Sequence, residues 1–443
     1  MGEHDPKRVL LVLALITGLC ALAYWPAFTL PFISDDYVQM GLAERYGPAS
    51  SWDDLARDPL YRSRATSLVL TWWKLSVFGM DPTVFTMFML ALHVFNCFLV
   101  LALGSWPAIG YRVSTLAAAF FAVYEGHQEA VIWYAALPEL LVFFFLLSSL
   151  LLFRKWLAEP DRRLWWYAVS WLCAVLAMLS KESGVVLGAL IPLVALTTRA
   201  RLTALVASVP FVLLGAAYAA ITFAGRTGNM HFFDGTFSLQ APVGVTVLTS
   251  IARLLWFWGA LALIVLWPRR KTWLAAAGIW IVITLLPYSF LTYMTRVPSR
   301  HTYLASAGLA MLVGAACLSI RPRLASWKPW APAALAALIV AHNCGYLWIK
   351  KFPQYAERAR PTEELIRLAG PVHGAVHVAC FPYSPEVAER ALHLALGRAP
   401  SDAVFSASDA THAAARYCYE GSLMPASAAG KLAEAKSSLA AVE

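Results

Sequence analysis

Long apolar runs alternate with short polar connectors over the first 349 residues. Runs able to cross about 30 Å of hydrocarbon occupy residues 9–31, 83–105, 133–153, 202–224, 245–267, 273–295, 303–320 and 330–349. Shorter runs at 112–124, 164–180 and 184–197 predict further crossings. The pattern therefore predicts an all-α polytopic membrane protein with about eleven spans. The run at 9–31 is too long for a signal peptide and has no small-x-small site after it, so it reads as an uncleaved first span.

The polar stretches refine this picture. Between the first two spans lies a long connector, residues 33–82, whose segment "YRSRATSLVLTWWKLSVF" alternates apolar and polar positions at helical spacing. Trp72, Trp73 and Lys74 suit a helix lying in the membrane surface, with a shallow extra span as the alternative. Beyond residue 350 the chain turns polar: "VHGAVHVACF" predicts a strand and "SPEVAERALHLALG" an amphipathic helix. The expected division is a membrane module, 1–349, and a small extracytoplasmic α/β domain, 350–443, ending in an Ala-rich helix. No tandem repeat of fixed period is visible, which argues against a solenoid.

Composition supports the membrane reading. Of 443 residues, 60% are hydrophobic and 14% charged, against about 25% charged in soluble domains. The formal charge of +9 does not indicate nucleic acid, because the cations sit in short connectors between apolar runs. Lys7, Arg8, Arg112, Arg154, Lys155, Arg162, Arg163, Arg199, Arg201, Arg269, Arg270, Lys271, Arg321, Arg323 and Lys328 fall on alternate connectors. Those connectors are then cytoplasmic. The seven cysteines are scattered without metal or redox spacing. Cys20, Cys97, Cys173, Cys317 and Cys344 read as small packing residues, whereas Cys380 and Cys418 can pair if the tail faces an oxidising compartment.

Candidate chemistry gathers on the opposite connectors. A carboxylate at the bilayer centre costs about 2.5–3.5 kcal/mol, so the adjacent acids of "FISDDY" must lie just beyond the first span. With them on that side are Arg62 and Arg64, His127 and Glu129, Glu139, Lys181 and Glu182, and Arg296, Arg300 and His301. Carboxylates, imidazoles and cations converging on one membrane face suit an anionic lipid-linked substrate. Sugar transfer from a lipid phosphate needs a base for the incoming hydroxyl and cations on the leaving phosphate. Asp35 or Asp36 is the candidate base, and Arg300, Lys181 and Arg62 are the candidate phosphate partners. Glu139 sits inside an apolar run and needs a partner, for which Arg253 is one candidate. Plainer readings run alongside: a solvated loop start for the acids, mutual neutralisation of Lys181 and Glu182, a satisfied interfacial His127, and interhelical hydrogen bonding by His93 and Asn96.

"FISDDY", "YRSRATSL", "HVFNCFLVL", "GHQEAVIWYAALPELLVF", "LAMLSKESG" and "SRHTYLASAG" occur in the order seen in the GT-C membrane glycosyltransferases. Over residues 9–320 the chain resembles the protein O-mannosyltransferase-like group, including mannosyltransferases that carry tetratricopeptide repeats, although it lacks those repeats. The resemblance implies that Asp35 or Asp36 acts as the base, that Arg300 of "RHTYLAS" contacts the lipid phosphate, and that His127, Glu139, Glu182, His301 and Tyr303 are substrate-binding. It departs from the family pattern at "YRSR", which lacks a proline, and at "HQ" in place of "HP". The implied donor is a polyprenyl-phosphate sugar and the acceptor a protein, lipid or polysaccharide. The Ala, Arg and Leu bias resembles a high-GC bacterium, which implies the inner membrane with the site on the periplasmic side. A divalent cation held by the aspartate pair with Glu139 is a candidate cofactor. The competing readings are a transporter or flippase of lipid-linked sugars and a catalytically inactive scaffold.

Overall fold

The computed structural model describes residues 6–159, 163–198, 201–267, 271–292 and 295–399, with 403–404, 413, 415–419 and 423–425 beyond them. They are overwhelmingly helical. Seven helices are long and apolar enough to span a membrane: Pro6–Thr29, Pro82–Ser105, Tyr134–Ala158, Arg201–Ala224, Lys271–Phe290, Ser306–Trp327 and Ala331–Ala369. Three shorter apolar helices are Tyr111–Val123, Leu164–Met178 and Glu182–Leu196. The run read as a single span at 245–267 is instead two helices, Val243–Leu254 and Trp258–Leu266, bent by 86°. Phe257 makes the corner at φ 60°, a left-handed conformation that interrupts the helical hydrogen-bond ladder. A count of eleven needs this pair taken as one span and all three shorter helices as crossings.

The chain forms two compact units. The first contains the segment ending at Trp25, Ser50–Ser67 and Thr86–Ile349; the second contains Pro26–Ala49, Leu68–Phe85 and the chain from Lys350. In the first unit Leu137–Ala158 begins with Pro138 and Glu139 in its opening turn and carries Lys155 in its last, an order that suits the helix dipole. It pairs with Leu164–Met178. The two are clasped by Ser149 and Ser170, each hydroxyl donating to the other residue's carbonyl at 2.8 Å. Ser306–Trp327 is buried from Ser306 to Ala316 and packs on Tyr111–Val123. Close approach there depends on Gly314, since a Cβ would meet Val113 O at 2.6 Å. The lone serines and glycine in these apolar runs are thus the places where helices touch.

In the second unit, Asp36–Tyr46 packs on Pro385–Leu396. Tyr37 donates to Glu363 at 3.2 Å, and Phe32 meets Tyr37 and Phe85 edge to face. The strand and helix expected in the tail are both present: β1 is Val376–Cys380, and Pro385–Leu396 ends at Gly397 in the left-handed conformation. With β2 (Ala403–Val404), β3 (Ala415–Tyr419) and β4 (Leu423–Pro425) they form a sheet of order β2-β1-β3-β4, antiparallel only at β3–β4. Leu365, Ala369, Val376, Val378, Ala388, Leu392 and Tyr417 make its core. Cys380 and Cys418 form a disulfide between β1 and β3, the pairing foreseen for an oxidising compartment. The expected Ala-rich terminal helix lies outside the described residues.

Candidate active site

Glu139 is the centre of a buried polar cluster in the first unit. Only 2% exposed, it sits in the first turn of Leu137–Ala158 and accepts from three directions. Lys181 Nζ and His301 Nδ1 meet Oε1, and the Tyr288 hydroxyl donates to Oε2 at 2.7 Å. Ser183 Oγ lies 2.8 Å from the Tyr288 oxygen, and the Tyr288 and His301 rings stack at 4.5 Å. Burial and the neighbouring Lys181 push His301 down to about 4, so the ring is neutral near pH 7. An ionised carboxylate only accepts. The shared proton is therefore on Nδ1, which leaves Nε2 as the accepting nitrogen. Arg253, the partner suggested by sequence, instead donates to Val297 O at 3.4 Å.

A second cluster joins Glu129 to the Ser299–Thr302 turn. Ser299 donates to Glu129 Oε2 at 2.8 Å, the Arg300 N–H does so at 3.2 Å, and the Arg300 guanidinium pairs with Oε1. Gln128 donates to Ser299 at 2.9 Å, and the guanidinium lies 5.1 Å from the centre of the Trp133 ring. Burial disfavours the charge on Glu129. Arg300, Ser299 and the backbone N–H outweigh it and hold the carboxyl below the usual range. One short turn thereby fixes two neighbours differently, Arg300 on Glu129 and His301 on Glu139.

Glu182 and Lys181 attract one another as sequence neighbours, but the close ion pair of Lys181 is with Glu139. Glu182 accepts from Ser63 at 2.9 Å and feels the charge of Arg64. Arg62 donates to Ile221 O at 2.9 Å. His127 and Tyr303 are both enclosed: His127 Nε2 is 2.6 Å from Ser306 Oγ, and the Tyr303 hydroxyl is 2.8 Å from His93 Nδ1 and accepts from Asn96 at 3.3 Å. His93 and Asn96 are the interhelical hydrogen-bond formers they were read as. Asp35 and Asp36 belong to the second unit. Asp36 is 2% exposed and accepts from Ile33 N at 2.7 Å, whereas Asp35 is exposed. Ser34, just before them, has φ 40°, a strained value for a residue with a Cβ.

The loops that build these clusters are alternate connectors. The segment at Thr66 bonds to Leu179 O, Gln128–Ile132 packs on Ser299–Thr302, and Glu182–Val186 packs on Leu286–Phe290. The two sets of connectors differ in kind. Arg112, Arg163, Arg201, Lys271, Arg321, Arg323 and Lys328 are all exposed, whereas Lys181 and Arg300 are largely enclosed and paired. Exposed cations suit an orienting role at a lipid surface. Enclosed, paired ones suit a site.

No family model and no curated protein matches the chain. Its structure is similar to ArnT from Cupriavidus metallidurans in the apo state, with TM-score 0.54 and 13% identity over 92% of this chain and 90% of that one. ArnT bound to undecaprenyl phosphate gives 0.51 and 14% over 92% and 91%. The apo oligosaccharyltransferase of Archaeoglobus fulgidus gives 0.53 and 12% over 90% of this chain and 65% of that one, so this chain spans just under two thirds of the archaeal enzyme. The chain is an integral membrane protein with the GT-C fold. The motif order read from the sequence indicated the same fold. Sequence reasoning did not single out Tyr288, Ser183, Ser299 or Trp133 in the clusters. The available signal was position: Tyr288 and Trp133 are aromatics at span ends, next to connectors that carry the charged candidates.

Proposed function

We propose that this protein is a glycosyltransferase that moves a sugar from a polyprenyl-phosphate donor to a protein, lipid or polysaccharide acceptor at the outer face of a bacterial inner membrane. The observation that carries this reading is the enclosed layer of Lys181, His301 and Arg300, assembled from alternate connectors on a GT-C fold. ArnT, of the same fold, has been solved with undecaprenyl phosphate bound. The Cys380–Cys418 disulfide supports an oxidising, periplasmic location for the tail.

In this reading the acceptor hydroxyl attacks the anomeric carbon and loses its proton to a carboxylate base, the part that the sequence resemblance gives to Asp35 or Asp36, while the lipid phosphate departs carrying the bonding electrons. Arg300 and Lys181 stabilise the phosphate as its charge develops. Glu129 and Glu139 act as positioning residues, because each holds one of those cations in a fixed geometry. A guanidinium has five N–H donors and an ammonium three, so a cation held by one carboxylate can still donate to a phosphate. Arg300→Ala is expected to weaken donor binding about 10- to 100-fold, the range of a charged hydrogen bond, with acceptor binding little changed. Titration of a polyprenyl-phosphate sugar checks this, and equal donor affinity would remove Arg300 from the phosphate site.

The transporter reading has one observation in its favour, the 86° break at Phe257, because transporters build sites on broken helices. Against it, the cations of these pairs, Lys181 and Arg300, lie at connectors and the sequence shows no repeated halves. Reconstituting the full chain in liposomes with a polyprenyl-phosphate sugar and an envelope extract separates the two. A transferase releases free polyprenyl phosphate and adds a sugar mass to an acceptor; a transporter moves the donor across intact, and that result would overturn the proposal.

A further inference from the structure

One buried constellation has no part in this chemistry. Cys20 lies on the first span, and His93 and Cys97 lie one turn apart on Pro82–Ala102. All three are fully buried, and their ligating atoms lie within 4.8 Å of one another. The two sulfurs are 3.7 Å apart, and His93 Nε2 is 3.9 Å from Cys97 Sγ. Tetrahedral zinc with Zn–S near 2.3 Å and Zn–N near 2.05 Å sets a sulfur–sulfur edge of about 3.8 Å and a nitrogen–sulfur edge of about 3.5 Å. The sulfur pair already has the first spacing, the His93–Cys97 edge exceeds the second by a few tenths of an ångström, and the His93–Cys20 edge lies within 4.8 Å and closes by rotation of the side chains.

We propose that Cys20, His93 and Cys97 form a three-residue zinc(II) site that ties the first span to the span at Pro82–Ser105. Binding takes one proton from each thiol and releases both to solution, leaving two thiolates, one neutral imidazole and Zn²⁺. The complex has no net charge. That decides between the two common thiophilic ions, because copper(I) on the same ligands would leave a net negative charge in a region where uncompensated charge is expensive. His93 is set up as a ligand from its far side. Its Nδ1 is 2.8 Å from the Tyr303 hydroxyl, so in the Nδ1–H tautomer it donates there and presents the Nε2 lone pair to the metal, as ligating histidines commonly do. In exchange Nε2 gives up only a long 3.3 Å contact with Ala122 O. Tyr24 and Phe121 wall the ring at 5.4 and 5.8 Å, and with three protein ligands the fourth tetrahedral position falls to a water molecule, which leaves the complex neutral.

The test uses full-length protein purified from cells grown in zinc-containing medium. Elemental analysis is expected to find about one zinc per chain, falling at least about tenfold in Cys20→Ser and Cys97→Ser. X-ray absorption at the zinc edge of the parental protein is expected to show two sulfur neighbours and needs no variant to fold. His93→Gln gives a third substitution should the cysteine variants be unstable. The proposal is overturned by a metal-free parental chain, by copper in place of zinc, by zinc with only nitrogen and oxygen neighbours, or by a Cys20–Cys97 disulfide in mass spectrometry of the alkylated protein.

Discussion

Asp35→Asn is expected to lower sugar transfer about a hundred- to ten-thousand-fold, the usual contribution of a general base, while the protein still inserts and folds. The choice between the two acids rests on their surroundings. Asp36 is 2% exposed and its Oδ2 accepts from Ile33 N, so it holds together the start of the Asp36–Tyr46 helix. Asp35 is exposed, which is what contact with an incoming hydroxyl requires. Asparagine at 36 keeps a carbonyl oxygen for the Ile33 N–H, so Asp36→Asn should preserve the turn and cost less activity. Transfer measured with a polyprenyl-phosphate sugar, alongside gel filtration to confirm folding, decides the matter. Parental rates in both variants would remove the pair from catalysis.

The second large effect concerns stability. Glu139→Ala is expected to cost about 3–5 kcal/mol, the range for removing one partner of a buried ion pair, because it takes the shared carboxylate from Lys181 and His301. Lys181 would keep a charge with no counter-ion on Glu139's side, the His301 donor would lose its carboxylate acceptor, and Tyr288 would be left with Ser183 alone. The double variant Glu139→Leu with Lys181→Met removes both charges and should recover much of the loss, though not activity, since Lys181 also serves the donor phosphate. Thermal unfolding of the parental, single and double variants in one detergent measures the difference. An unchanged midpoint in Glu139→Ala would show that the cluster carries little of the fold's stability.

These two predictions draw on different kinds of information. Asp35 and Asp36 stood out as candidates in the sequence because a bilayer penalises misplaced carboxylates, so two acids after a long apolar run are expected at the water boundary. Glu139 was legible only as a problem, an acid inside an apolar run that needed a partner. The partner suggested, Arg253, was the wrong one. Lys181 lies 42 positions from Glu139 and His301 a further 120 beyond that, and no local pattern encodes such a pairing. The same limit separates the two groups of cysteines. Cys380 and Cys418 lie in the polar tail, where an oxidising compartment makes pairing a natural expectation. Cys20 and Cys97 sit 77 residues apart on different spans and read as packing residues until the helices bring them together.

By itself the sequence determined the membrane class, the positions of most spans and the GT-C likeness. Each of these follows from local composition and from the order of motifs along the chain, and neither depends on how the helices pack. The tertiary structure alone decided which cation each carboxylate holds, that the run at 245–267 turns a corner at Phe257, and that two thiols and an imidazole share one point. Within lipid, water does not compete for polar groups and the helices have little hydrophobic reason to choose one neighbour over another. Scattered polar side chains and small residues therefore select the partners, and their matches appear only once the helices are side by side.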